Sequence, residues 1–421
     1  MAKNTLLKQV FSSFFLKILG SFLGFFSTIL IARKLGATDS GYYFFSFSIV
    51  MIISTISRFG LDHTLLKMIG AQFGLGRSVS NSILTFSLVA SFILSVTICI
   101  FIYVFLSWDY AFRMLGSEKI FYIKEMLPAS ILLALLTIVG ISFQGERKHF
   151  LGLAFLNVIP PFTLISLIFL FYNDEVSVAY FYETSLALSL TLALLLWFKS
   201  SNKFDFDKRV YKEVLNSCLP MWVVAFSSIL VQWFSPLIIG VFETPDKVAF
   251  LLAAQRTSLL ISFLLTAVNV IVAPRFAKYY KEKDFTSLEN LFSVSTRFLL
   301  LISIPLIFLV VVFSQNIMGL FGESFKDWSI LLIILSIGQF INLVTGSVGY
   351  LLTMTGNERV FRNIILCTSP IYLILTTIMS FYYGVIGSAI STAFFVALQN
   401  CVIFYYATRH VEIDFFAFLK K

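Results

Sequence analysis

Long apolar runs separated by short polar breaks organise this chain. The runs fall at 11–33, 42–62, 83–107, 127–144, 150–172, 178–198, 217–242, 248–274, 295–314, 328–354, 361–382 and 385–407. Most lie close to the roughly 17–25 residues that a helix needs to cross a bilayer. They are continuous rather than alternating apolar and polar, which excludes a transmembrane β-barrel. The pattern predicts an all-α polytopic membrane protein with twelve transmembrane helices. The longest polar stretches, 108–126, 199–216 and 275–294, are too short for a soluble domain. GLGRSVSNS (74–82) and DFTSLENLF (284–292) fit short interfacial helices and ordinary loops equally well.

Composition agrees. The 421 residues are 58% hydrophobic and 13% charged, with a mean hydropathy of +0.92, whereas a soluble domain carries about a quarter charged residues. The first run starts near Phe11 and continues to about Ile31, the length of a span rather than the short core of a secretory signal, so no cleaved leader is expected. Cys99, Cys218, Cys367 and Cys401 all lie inside apolar runs. They read as small buried hydrophobes, without a disulfide or metal role.

The net charge of +9 acquires a meaning once the loops are assigned to sides. With the N-terminus in the cytoplasm, 20 Lys and Arg fall in inside segments, 7 in outside loops and 4 within spans. That bias predicts that both termini are cytoplasmic. Topology thus accounts for the basic excess, and no nucleic acid is called for.

SFQGERKHF (142–150) and TMTGNERVFR (353–362) repeat one polar phrase half a chain apart. Gly145 and Gly356 are 211 residues apart, Arg147 and Arg359 are 212, and Pro160 and Pro370 are 210. The common offset predicts a six-helix unit used twice, as lobes 1–210 and 211–421. An even number of helices gives parallel repeats, related by a pseudo-twofold axis along the membrane normal. Arg147 and Arg359 then sit on cytoplasmic loops, as interfacial arginines of tight turns or as contacts of a gate.

Ionisable groups inside spans cost about 2.5–3.5 kcal/mol each on insertion scales and normally face a cavity or a partner. The bases are Lys17, Arg58, Arg256 and Arg297; the acids are Asp62 and Glu183. Arg58 and Asp62 are spaced to pair as i, i+4. Arg297 is close enough to the end of its run to snorkel. Glu183 stands near the outer end of its run. Lys17 and Arg256 are the deepest. A cavity with this sign suits an anionic group such as phosphate, which Arg can hold bidentately. Aromatic residues along the spans fit lipid-facing and interfacial roles. Prolines at 160, 161, 236, 305 and 370 interrupt helix hydrogen bonding.

Several stretches resemble the polysaccharide repeat-unit flippases of the multidrug/oligosaccharidyl-lipid/polysaccharide exporter superfamily. IARKLGATDSGYYF (31–44) resembles their first helix–loop–helix signature, and SRFGLDHTLLKMIGAQFG (57–74) the end of their second helix. AAQRTSLLISFLLTAVNVIVAPRFAKYYKEKDFTSL (253–288) is similar to their eighth helix and the basic loop after it. YYGVIGSAISTAFFVALQN (382–400) resembles their last helix. The resemblance covers essentially the whole chain. It implies two six-helix lobes around a central cavity that opens alternately to either side. The implied cargo is an undecaprenyl-diphosphate-linked oligosaccharide, moved from the cytoplasmic to the periplasmic leaflet for O-antigen, capsule or exopolysaccharide assembly. The implied setting is the bacterial inner membrane, with polymerase and chain-length proteins of the same pathway as partners. Arg256 matches the family's helix 8 base, and Lys17 falls where related lipid flippases carry a helix 1 base. Arg58 and Asp62 lie within the second signature.

The chain has no GxxxxGK[ST] loop, so ATP is not the expected energy source. No cofactor is expected; the membrane potential, or a proton or sodium gradient acting through Asp62 or Glu183, would supply the drive. Rival readings are a drug or cation exporter and a peptidoglycan-precursor flippase of the same fold. A membrane polymerase or ligase is the rival of another class, but Asp109, Glu118 and Glu125 form no catalytic pattern, and neither do the three histidines.

Overall fold

The computed structural model describes residues 2–71, 77–173, 177–199, 208–411 and 413. The polar loop at 200–207, the first residues of GLGRSVSNS, and Lys420 and Lys421 lie outside the described residues. Those described are helical throughout, with no strand. The order is α1 (Ala2–Arg58), α2 (Leu61–Ala71), α3 (Arg77–Phe105), α4 (Asp109–Leu115), α5 (Ser117–Gly145), α6 (His149–Leu153), a π-helical turn (Ala154–Val158), α7 (Ile159–Phe171), α8 (Val178–Lys199) and α9 (Lys208–Phe242). Then come α10 (Pro245–Lys281), α11 (Phe285–Val312), α12 (Ser314–Gly319), a 3₁₀ turn (Glu323–Trp328), α13 (Ser329–Val344), α14 (Val348–Met354) and α15 (Glu358–His410).

Among the described residues, ten helical stretches are long and apolar enough to cross a membrane. Two of them, Ser12–Arg58 and Glu358–His410, have 47 and 53 residues. At 1.5 Å per residue these are about 70 and 80 Å long, against a hydrocarbon core of about 30 Å. Each contains two of the apolar runs and a single non-helical glycine between them, Gly36 in α1 and Gly384 in α15. Phe101, Leu170, Leu301 and many other large apolar side chains are exposed, as expected of faces that meet lipid. Cys99 and Cys218 are buried, but Cys367 and Cys401 are exposed; the expectation of four buried cysteines holds for two.

Neither of the two ambiguous segments is a separate interfacial helix. Residues 77–82 are the first turns of α3, and 285–292 the first turns of α11. Asp284 caps α11 by accepting from the Ser287 N–H at 3.0 Å, which satisfies one of the orphan donors at that helix start.

The chain groups into two compact units, Met1–Lys34 with Asp39–Leu237, and Leu35–Thr38 with Ile238–Lys421. The dividing point lies inside α9, because the earlier part of that helix packs on the first unit. There α1 stops at Arg58, since Phe59 and Gly60 both take positive φ, 46° and 76°. Gly60 lies against α9. A Cβ on it would collide with the Cys218 carbonyl and stand 2.8 Å from the Trp222 nitrogen. The Phe59 ring packs on Trp222 with centroids 5.4 Å apart, and Cys218 Sγ reaches Thr64 Oγ1 of α2 at 3.5 Å. Further along, Trp233 packs edge-on to Phe47 at 5.2 Å.

The π turn at 154–158 precedes Pro160 and Pro161. Each proline lacks an N–H and its ring crowds the carbonyl four residues back, so the helix widens there. Large buried side chains of the first unit include Leu65, Ile69, Ile83, Phe143, Phe155 and Trp197. In the second unit Phe276, Phe292, Phe321, Phe325 and Tyr372 take that role. The halves of α15 are joined by a polar seam. Tyr372 Oη lies 3.3 Å from Thr392 Oγ1, Ser391 donates to Thr376 at 3.1 Å, and Gln399 donates to Thr368 at 3.2 Å.

Candidate functional site

The repeated loops close in one geometry. After α5, the Lys148 N–H donates to the Phe143 carbonyl at 2.9 Å and the Arg147 N–H to Gln144 at 3.0 Å. After α14, the Asn357 N–H donates to Leu352 at 3.0 Å and the Gly356 N–H to Thr353 at 3.3 Å. Both are helix C-caps built on one left-handed residue: Arg147 at φ 59° in the first, Gly356 at φ 82° in the second. The structural partner of Gly356 is therefore Arg147, two residues beyond the glycine that the sequence pairs with it. Gly145 has another task. It is helical and lets α5 approach α2; a Cβ there would lie 2.8 Å from Ile69 Cβ. Arg359 stands exposed in the first turn of α15.

The structure brings Arg58 and Asp62 together across the break between α1 and α2. Arg58 Nε donates to both Asp62 oxygens, at 2.9 and 3.0 Å. Its other two nitrogens donate to Ser54 Oγ at 2.6 Å and Thr55 Oγ1 at 3.1 Å. The side chains are 11% and 20% exposed, so this is a largely buried ion pair in which each guanidinium nitrogen of the cation already has a partner.

Lys17 is exposed on α1, next to Leu16, which is buried with Leu153 and Ala154 of the α6 segment and the π turn. Arg256 is half-buried on α10 and Arg297 half-buried on α11. The helix that carries Arg297 begins at Phe285, ten residues before the apolar run. Arg297 is thus about 18 Å along its helix, not one turn from the end as the run suggests.

Glu183 of α8 has Oε1 buried with no protein partner among the described residues. Close to it on the packed α5–α8 pair is Glu125, which accepts from Ser177 Oγ at 2.9 Å. Sequence reasoning placed Glu125 in an outer loop. Helix α5 starts at Ser117, well before the apolar run at 127, and this draws Glu125 into the helical bundle.

These positions put cations on apolar helices, Arg58 among them paired with its own neighbour. Fixed bases in such a medium can replace the water around a phosphate group.

Residues 6–280, which is 275 of the 421, match the family model described as "Polysaccharide biosynthesis protein", and residues 220–379 match the MatE model. The chain is 25% identical over 410 residues to the probable low-salt glycan biosynthesis flippase Agl15 of Haloferax volcanii, covering 96% of this chain and 83% of that protein. Among solved structures it is similar to an inward-facing multidrug resistance MATE family transporter of the MOP superfamily. The TM-score is 0.79 at 16% identity, over 98% of this chain and 99% of that one. It is also similar to the lipid II flippase MurJ in an inward closed conformation, with a TM-score of 0.74 at 16% identity over 98% and 89%.

Proposed function

The chain belongs to the polysaccharide biosynthesis protein family, and from that premise we propose that it is a flippase for lipid-linked oligosaccharide units. It carries undecaprenyl-diphosphate-linked sugars from the cytoplasmic to the outer leaflet of a bacterial inner membrane by alternating access, with both termini cytoplasmic. Two six-helix lobes, assigned from the repeat as 1–210 and 211–421 but with the start of α9 packed on the first, are its moving parts, and Arg147 and Arg359 stand at its cytoplasmic mouth. The polymer served is O-antigen, capsule or exopolysaccharide.

One observation supports this reading above the others. The bases in the apolar helices outnumber the acids: Lys17, Arg58, Arg256 and Arg297 stand against Asp62 and Glu183. Since Arg58 and Asp62 pair with each other, the remaining bases are Lys17, Arg256 and Arg297, against Glu183 and the Glu125 that α5 carries into the bundle. A polyprenyl tail stays in lipid while its diphosphate, which hydrocarbon excludes, meets fixed bases. A cationic drug would meet repulsion from the same groups. The likeness of fold to a multidrug transporter and to MurJ keeps cation export and peptidoglycan-precursor flipping as the second readings.

The test is deletion of the gene in its host. The flippase reading expects complete undecaprenyl-diphosphate-linked units to accumulate and surface polymer to disappear. Arg256→Ala, inserted at normal level, is expected to reproduce that loss. Unchanged lipid-linked sugar together with altered sensitivity to cationic compounds would overturn it in favour of export.

A further inference from the structure

A cavity of about 260 Å³ opens beside the turn after α5, lined by Ser12 of α1 and by Arg147, Lys148, His149, Phe150 and Leu151. At roughly 30 Å³ per water molecule, it has room for a phosphate group with part of its hydration. Four of the six lining residues carry polar side chains, and three of these are basic.

The backbone of the turn gives a second, independent pointer. Its left-handed position, φ 59°, is filled by Arg147. Glycine takes that conformation without strain, and the equivalent turn of the second unit uses Gly356. An arginine is a poor choice on backbone grounds. Its charge is what the position gains, and the guanidinium-bearing residue is exposed at the cavity. Held strain of this kind at a cavity rim is a pointer to binding.

The neighbouring charges decide the sign. Lys148 is tied to Glu146 at 2.7 Å and lies 5.8 Å above the Phe143 ring and 6.0 Å above that of Trp197. That lysine is fixed in place and largely balanced by its acid. Counted formally, Glu146, Arg147 and Lys148 give the turn a charge of +1 with His149 neutral. Ser12 adds a hydroxyl from a different helix.

We propose that this turn is a phosphate-binding subsite of the first unit, built from Arg147, Lys148, His149 and Ser12. Phosphate binding needs only the geometry of the turn; its occupation by the cargo's diphosphate, as a first station on the cytoplasmic face, rests on the flippase reading. In the equivalent turn of the second unit, glycine stands where Arg147 does.

The test uses the purified full-length protein in nanodiscs of phosphatidylcholine with inorganic pyrophosphate as probe, read as saturable thermal stabilisation. Arg147→Gly and Arg147→Asn both accept the left-handed backbone, so the fold is retained and the unfolding midpoint without ligand stays level or rises. Pyrophosphate affinity is expected to fall at least tenfold in both, and to be largely retained in Arg147→Lys. Equal affinity in wild type and Arg147→Gly, or no saturable binding by wild type, overturns the proposal. Competition by a short-chain polyprenyl diphosphate would assign the site to a lipid headgroup. Absence of that competition would assign it to free phosphate, and either result leaves the subsite standing. Loss of pyrophosphate binding in Arg147→Gly, in a host where gene deletion leaves lipid-linked sugars unchanged, would uphold the subsite and sink the flippase reading.

Discussion

Arg58 shows how one residue changes meaning between sequence and structure. As a base inside an apolar run it counts toward an anion site. In the fold its three guanidinium nitrogens are engaged by Asp62, Ser54 and Thr55. Removing one member of a largely buried pair strands the other, which costs more than removing both. Asp62→Ala is therefore expected to lower stability by about 1.5–3 kcal/mol, the range for hydrogen bonds to charged groups. The double change Arg58→Met with Asp62→Leu should recover much of that loss. Thermal unfolding of the purified variants decides; a double variant no better than Asp62→Ala would mean that the pair holds no stranded charge. Asp284 makes a pH-dependent contribution instead. The hydrogen bonds from Ser287 hold its carboxyl below the ordinary value for Asp. A lowered folded pKa gives stability that is present above the unfolded pKa and lost as pH falls through the folded one. The start of α11 should fray on acidification below the usual carboxylate range, measured as amide exchange at 285–289. Asp284→Asn should keep the cap and lose that pH dependence.

At the scale of elements, the break between α1 and α2 is a tertiary feature. Nothing in the apolar run at 42–62 announces it. It forms because Gly60 must lie against the backbone of α9, with Phe59 beside Trp222. Gly60→Ala brings both a left-handed backbone penalty of about 1–2 kcal/mol and a collision with the Cys218 carbonyl. It is expected to push α9 away and expose the buried Cys218 thiol. Maleimide labelling in a Cys367→Ser, Cys401→Ser background reads this directly, since those two cysteines are exposed in the native fold. Unchanged protection of Cys218 would show that the contact yields without consequence. Local pattern made the helices legible, and most apolar runs appear as helices whose ends shift by several residues. It concealed what depends on neighbours, namely the positive φ at Phe59 and the drawing of Glu125 into the bundle. The repeated phrase was legible as a repeat but misaligned by two residues, because a turn is defined by its left-handed position and not by its glycine.

At the scale of the molecule, the flippase reading lets charge and membrane potential together set the direction of transport. If the moving headgroup carries about two negative charges, an inside-negative potential favours its exit by roughly 2.3 kcal/mol per charge per 100 mV. Two charges then bias the distribution about a thousandfold at 100 mV, using the tenfold-per-1.4 kcal/mol relation. Such a bias needs no ion-coupling site. In proteoliposomes with a potassium-diffusion potential, polyprenyl diphosphate is expected to reach the outer leaflet faster when the interior is negative and more slowly when it is positive. The Glu183→Gln variant should show the same response. A rate indifferent to potential but dependent on a proton or sodium gradient would transfer the drive to an ion site, with the Glu183–Glu125 pair the first place to seek it. The bases Lys17, Arg256 and Arg297 bear on this choice. On the flippase reading, bases fixed in the helices would compensate a diphosphate while it is bound and remain behind when it leaves, so that the charge crossing would be the cargo's own.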